Sequence, residues 1–135
     1  MYKNILVPVV FDQSHDTNAA FLCASALADE GAKFTVLHVM EAIPSYAEFQ
    51  IPSDALARAH DEIRKELKHL AAGLGDAEAV LVTGHAGRTI VDYAADHDID
   101  CIVVASHTPG LKDYFIGSTA DRVVRHAGCA VHVVR

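Results

Sequence analysis

Five short runs of branched and aliphatic residues recur along the chain: Ile5 to Val10, Phe34 to Val39, Ala79 to Val82, Cys101 to Ala105 and Ala130 to Val134. Most are continuous in Val, Ile and Leu rather than alternating, and such continuity belongs to strands covered on both faces. Helical stripes fill the intervals. Ala19, Leu22, Cys23, Ala26 and Leu27 recur at i, i+3, i+4, i+7 and i+8, and Leu56, Ala59, Ile63, Leu67, Leu70 and Leu74 make a longer stripe. Ile90, Val91 and Ala94 form a third, and Ala120, Val123, Val124 and Ala127 a fourth. The order βαβαβαβαβ predicts right-handed crossovers and an α/β architecture: a parallel, doubly wound sheet between two helical layers. With 135 residues the expectation is one domain spanning 1–135.

The punctuation fits this order. Ser53 or Asp54 is placed to cap the second helix after Pro52, Gly31 and Gly73/Gly75 stand where helices should stop, and Ser118-Thr119-Ala120-Asp121 has the form of a capping box. Pro8 cannot donate to a sheet ladder, so it belongs near the carboxyl end of the first strand. The one long connection, Glu41 to Pro52, carries Ile43, Pro44, Tyr46, Phe49 and Ile51, and so is expected to pack as a lid or subunit contact.

Charge narrows the function. Eleven basic and 18 acidic residues give a net charge of −7, and no Lys/Arg cluster is present to track a phosphate backbone, so no nucleic-acid partner is expected. Protonation of all nine histidines would bring −7 + 9 = +2, so the acidity holds only near neutral pH. The opening apolar run is too short for a signal-peptide core or a membrane span, which points to a cytoplasmic protein without membrane insertion. Cys23, Cys101 and Cys129 form no C-x-x-C and read as buried thiols.

In an open α/β sheet, ligands sit beyond the carboxyl ends of the strands, where the strand order reverses. Several occupants lack their parts here. The first turn has no G-x-G-x-x-G, no Gly-Lys pair exists for a P-loop, and Val9-Val10 and Val82-Thr83 stand where a phospho-receiver needs carboxylates. What remains is the segment 105–119, which leaves strand four and ends at a helix start. There Gly117 permits a close turn, and the N–H groups and hydroxyls of Ser118 and Thr119 form a small anion cradle, or Ser118 merely caps its helix. His85 and His107 flank this edge as phosphate contacts, pH sensors or plain loop residues, with Lys112 the sole cation of the loop. His38 and His132 read as hydrogen-bonded sheet residues, and His126 suits the last turn of its helix.

These motifs resemble one family over essentially the whole chain. Ile5-Leu6-Val7-Pro8-Val9, Leu37-His38-Val39, Gly84 after strand three, Ile102 to His107, and Gly117-Ser118-Thr119 through Val123 to Val131 are similar to universal stress proteins. The Ala-Ser-His-x-Pro turn resembles the small enterobacterial-type F and G subgroup. The resemblance implies a flavodoxin-like five-stranded sheet of order 3-2-1-4-5 and, in many members, ATP held by G-x-x-G-x9-G-[ST]. Carried over by position, Pro8 and Val39 flank the adenine, and Val9, Val10 and Gly84 are further nucleotide-binding positions. Ala105, Ser106, His107, Thr108 and Pro109 lie under the ribose and phosphates, and Gly117, Ser118 and Thr119 hold the phosphate tail. The chain departs from the motif in three ways. Ala105 and Thr108 replace its first two glycines, the spacing from Thr108 to Gly117 is one residue short, and Val10 stands where an Asp usually faces the nucleoside. The expected ligand is ATP or AMP, with or without Mg²⁺.

No Ser–His–acid order, paired carboxylate or metal-ligand spacing is evident, so any ATP turnover would be slow. The last run, if it is a sheet edge, presents unpaired backbone groups that a second copy could satisfy, and the resemblance implies such homodimers. The leading expectation is thus a dimeric stress-response protein that binds an adenine nucleotide and regulates or signals through it. The alternatives are a nucleotide-independent interaction module of the same fold and an ATP-consuming enzyme.

Overall fold

The computed structural model describes residues 1–11, 17–43, 45–48, 50–106 and 117–135. Its elements run β1 (Tyr2–Pro8), α1 (Thr17–Leu27), β2 (Ala28–Met40), α2 (Ser45–Glu48), α3 (Ser53–Ala71), β3 (Glu78–Thr83), α4 (Ala86–Asp96), β4 (Cys101–Ala105), α5 (Ser118–His126) and β5 (Ala130–Val134). The five strands pair in parallel in the order β3-β2-β1-β4-β5. This is the flavodoxin-like arrangement expected from the sequence, with one short helix, α2, added inside the long connection.

Alternation along the central strands divides the core into two faces. Ile5, Val7, Val36, Cys101 and Val103 pack under α1 and α3 with Ala20, Phe21, Ala24, Leu67, Ala71 and Leu74. Leu6, Leu37, Ile102 and Val104 pack under α4 and α5 with Ile90, Ala94, Ala120 and Val123. Because successive strand side chains point to opposite faces, a continuous apolar run feeds both clusters at once, which is why these strands show no polar alternation.

The structure corrects several local expectations. β1 begins at Tyr2 rather than Ile5, because Tyr2 and Asn4 already pair with Ala28 and Lys33 of β2, while Lys3 and Asn4 donate their N–H groups to the Asp100 carboxylate at 2.8 and 3.0 Å. It ends at Pro8, beyond which Val9 still donates to the Leu37 carbonyl at 2.8 Å. Gly31 stops no helix. It lies within β2 at φ 77°, where the register slips: β1 advances from Tyr2 to Asn4 while β2 advances from Ala28 to Lys33. That conformation costs glycine little. On α1 the buried face is Ala20, Phe21 and Ala24, and Leu22 is 65% exposed, since a helix apolar on every side does not declare its inner face.

Neither expected helix cap forms. Pro52 and Gly117 are the N-cap residues of α3 and α5, Ser53 and Ser118 are already helical, and neither helix has a side-chain cap bond. Instead Asp121 pairs with Arg125 one turn on, at 3.0 Å. Within the long connection the Tyr46 side chain, 79% exposed, does not pack onto its own chain, while Ile43 is partly buried. Pro44 and Phe49, also expected to pack, lie outside the described residues.

Of the three thiols, Cys101 is buried, whereas Cys23 and Cys129 are only half-buried. Cys101 belongs to the α1/α3 cluster and Cys129 to the α4/α5 cluster, so the two sit on opposite faces of the sheet. Burial, followed by Cys129 and Asp100, pushes the Cys101 thiol up to about 11. A thiol held protonated in this way is a poor nucleophile.

Candidate functional site

At the carboxyl ends of β1, β2 and β4 the sheet order reverses and leaves a crevice between the two helical layers. A cavity of about 140 Å³ occupies it. The lining is Pro8, Val9 and Val10 after β1, Leu37 and Val39 of β2, and Val104 and Ala105 of β4, closed by Thr17, Ala20, Ala86, Ile90 and Thr119. Valine and leucine dominate the walls because the strands that end here are the fully covered ones. Val10, 40% exposed, forms part of the rim.

Two contacts shape one wall. The Val9 carbonyl lies 2.8 Å from His38 Nδ1, whose N–H donates to it in that tautomer, and the His38 ring lies against Phe11 with centroids 4.7 Å apart. His38 is therefore the hydrogen-bonded sheet residue that the sequence led us to expect. Its bond holds the chain that leaves β1 over the end of β2.

Polar character comes from helix ends. Thr17, Ala86 and Thr119 lie in the first turns of α1, α4 and α5. The N–H groups of a first turn have no carbonyl within their own helix and carry the positive end of its dipole, so three such ends around one cavity favour an anion at its mouth. Ala86 and Thr119 also line an outer groove of about 320 Å³ beside the cavity. That groove is lined by His85, Ser118, Arg122, Arg125 and His126 together with the carboxylates of Glu41 and Asp121. His85 caps α4, its Nδ1 accepting from the Arg88 N–H at 3.5 Å.

The structure thus gathers Pro8, Val9, Val10, Val39, Ala105 and Thr119 around one cavity and places Ser118 in the adjoining groove. Gly84 lines neither. It donates to the Met40 carbonyl at 2.8 Å, and a Cβ there would meet Thr89 Oγ1 at 2.5 Å, so its role is close packing of the β3–α4 turn. Gly117 has a φ of −59°, which any residue adopts, and among the described residues a Cβ there would meet only the Ser106 carbonyl, at 3.7 Å.

Ser106 lies outside the cavity wall, 3% exposed, and its Oγ has no hydrogen-bond partner among the described residues. His107, Thr108, Pro109 and Lys112 lie outside the described residues. Ala86 falls in the turn after strand three that the carboxyl-end rule picks out, whereas sequence reasoning missed Thr17 and Ile90, although the first-turn position of Thr17 was a signal that could have found it. Among the described residues no group of three His, Cys, Asp or Glu side chains is placed to hold a metal ion, and no helix is long and apolar enough to cross a membrane.

Sheet order and cavity position define a flavodoxin-like α/β protein with its crevice at the strand-order reversal. The model of the universal stress protein family matches residues 1–135, and the chain belongs to that family. A Staphylococcus aureus (strain USA300) protein bearing the family's name is 32% identical over 144 residues, which cover 99% of this chain and 84% of that relative. Among solved structures, the protein MJ0577 superposes with a TM-score of 0.80 at 27% identity, over 99% of this chain and 96% of that one. UspA from Lactobacillus plantarum superposes with a TM-score of 0.69 at 32% identity, over 99% and 98%. More distant structures share the fold and were solved with nucleotides. One universal stress protein holds cAMP (20% identity, TM-score 0.68), that of Archaeoglobus fulgidus holds dAMP (18%, 0.64), and one from Arabidopsis thaliana holds AMP (19%, 0.63).

Proposed function

We propose that this chain is a cytoplasmic stress-response protein that binds an adenine nucleotide in the crevice at the carboxyl ends of β1, β2 and β4, as an edge-paired homodimer whose occupancy is read by other proteins. The observation that carries this reading is an apolar cavity that shares two lining residues, Ala86 and Thr119, with a groove bordered by helix N-termini. A flat heterocyclic base needs the first and a phosphate tail the second. At about 140 Å³ the cavity is smaller than the roughly 300–1,000 Å³ of whole-ligand clefts, so it takes the base while sugar and phosphates run outward past Thr119 and Ser118. Nucleotides bound by distant family members support the same ligand class.

Val10 supplies no carboxylate to a ribose, so specificity rests on the base and the phosphates. Mg²⁺, where it accompanies ATP, is held chiefly by phosphate oxygens, in keeping with the few protein ligands this ion takes. The dimer forms through β5, an edge of the sheet.

Calorimetric titration with ATP–Mg²⁺ and with AMP tests the ligand. We expect saturable heat and a raised Tm. Gly117→Asp, which the backbone accommodates, is expected to weaken binding at least tenfold by placing a carboxylate at the α5 N-terminus, with the dimer unchanged. No heat and no stabilisation with either nucleotide would overturn the reading in favour of a nucleotide-independent interaction module.

A further inference from the structure

We infer that β5 makes the dimer pH-sensitive, because its edge geometry brings His132 of one protomer face to face with His132 of the other. The inference rests on the edge-paired dimer proposed above and adds its regulation.

The backbone fixes which groups of β5 face outward. The Val134 carbonyl accepts the Ser106 N–H at 2.9 Å, so Val134 turns its backbone groups toward β4. By the alternation of a parallel ladder, Ala130 and His132 do the same, and Val131 and Val133 present theirs to the open edge. When two copies of an edge join into one continuous antiparallel sheet, the dyad stands perpendicular to the sheet. Directly opposed residues must then share a face, so the axis passes through a residue paired with itself.

The register that pairs all five residues of Ala130–Val134 puts His132 on the axis, Val131 opposite the partner's Val133, and Ala130 opposite the partner's Val134. It also joins the outward groups of Val131 and Val133 in hydrogen-bonded pairs. His132 becomes the non-hydrogen-bonded pair, whose Cα atoms approach to about 4.5 Å with side chains at their closest.

The surroundings supply little compensation. His132 is exposed on the sheet face it shares with Val103, its register partner in β4. On that side β4 offers only Cys101 as a titratable group, and α1, which packs toward β5, offers only Cys23. Asp121, Arg122, Arg125 and His126 belong to α5, which covers the opposite face. Along the strand, Cys129 precedes β5, and Arg135, itself engaged in another interaction, follows it. No carboxylate on these elements faces the imidazole pair.

Histidine is the side chain whose charge changes between about pH 5 and 8. Two neutral imidazoles can stack or share a hydrogen bond across the axis, whereas two imidazolium ions directly opposed repel. The charged form is the one disfavoured in the dimer. Dimer strength is therefore complete where imidazole is neutral and is lost as the pH falls.

Sedimentation equilibrium at pH 7.5, 6.5 and 5.5 tests this in three proteins. For the wild type, the dimer Kd is expected to rise about tenfold or more from pH 7.5 to 5.5, the range that charges about 5 Å apart produce in a partly wet site. His132→Asn should dimerise with a Kd independent of pH, and His132→Lys, charged throughout, should be weak at all three values. Formation of a disulfide-linked dimer by His132→Cys, in a Cys129→Ser background, checks the register. A wild-type dimer whose Kd ignores pH, or a His132→Asn protein that keeps the full dependence, would overturn the inference and leave the dimer standing. Wild type and His132→Asn both monomeric at pH 7.5 would overturn the edge-paired dimer itself and this inference with it.

Discussion

The two ends of the same sheet are built on opposite plans. At the amino ends of the strands lies a broad polar cleft of about 640 Å³, lined by Asn4, Lys33, Thr35, Asp76, Glu78, Tyr93 and His97 among others. Asn4, Tyr93 and His97 of this lining are engaged with their surroundings. The Asp100 carboxylate accepts from the N–H groups of Lys3 and Asn4, while the Asn4 amide donates to the carbonyls of His97 and Asp98 at 2.9 and 3.1 Å. The His97 ring stacks on Tyr93 at 3.8 Å. The Tyr93 phenol is raised above its usual range by burial and then by the charge of Glu78, against a hydrogen bond with Thr35 that lowers it.

The carboxyl end has the smaller, apolar cavity, the first turns of α1, α4 and α5, and a buried Ser106 hydroxyl with no partner among the described residues. Volume alone would choose the amino end, opposite the crevice proposed to take the nucleotide. On that proposal binding falls to the end with the apolar cavity and the helix first turns, and the amino end serves as a latch.

The largest effect that tests this contrast is expected at the latch. Asp100→Ala removes two charge-assisted hydrogen bonds to β1 and should lower stability by about 2 kcal/mol, measured by urea denaturation, with nucleotide affinity unchanged. A comparable loss of affinity would show that the two ends are coupled. Next in size is an alkaline effect at Cys101, which pairs with Ile5 at the same end of the sheet. Its thiol titrates near 11 in the folded protein against the usual 9.0, so above pH 9 the unfolded chain releases a proton that the folded one retains. Stability should therefore fall between about pH 9 and 11 more steeply in the wild type than in Cys101→Ala; parallel curves would refute the assignment.

At the cavity, His38→Leu is expected to cost about 1 kcal/mol by orphaning the Val9 carbonyl. Unlike Asp100→Ala, it should also weaken nucleotide binding several-fold, because Val9 is part of the wall. Equal binding by the two variants would erase the distinction between wall and latch.

The fold was largely legible because burial on both faces leaves a compositional trace: the bounds of β4 and β5 follow directly from Cys101–Ala105 and Ala130–Val134. Legibility failed where a distant partner changes what a residue can do. Lys3 and Asn4 read as a polar lead-in, yet pairing with β2 makes this stretch strand, and a carboxylate almost a hundred positions away accepts their N–H groups. Gly31 reads as a stop and is a bulge. Of the cavity lining, Val9, Val10, Val39, Ala86 and Ala105 lie in the segments that the rule of strand carboxyl ends picks out, and Pro8 was legible through the family resemblance. Thr17 and Ile90 were not, because their place on the cavity depends on how closely α1 and α4 settle on the sheet. Gly87 shows that dependence: a Cβ there would come within 2.8 Å of Arg122 Cδ, so the approach of α4 to α5 is set by a glycine that no strand rule marks.

The smallest expected effect separates the ends most sharply. Ser106→Ala deletes a buried hydroxyl that has no described partner, so the protein gives up no hydrogen bond among the described residues and sheds a desolvation cost. Stability without ligand should stay within about 0.5 kcal/mol of the wild type or rise slightly, in contrast to the fall expected for Asp100→Ala. If the hydroxyl is held in reserve for the nucleotide, the same variant should bind several-fold more weakly, so that ligand stabilises it less than it stabilises the wild type. Paired thermal denaturation with and without AMP reads both quantities. A Ser106→Ala protein that loses stability without ligand and binds normally would mean that the hydroxyl is already satisfied within the chain. The buried hydroxyl would then be no part of what separates the carboxyl end from the latch.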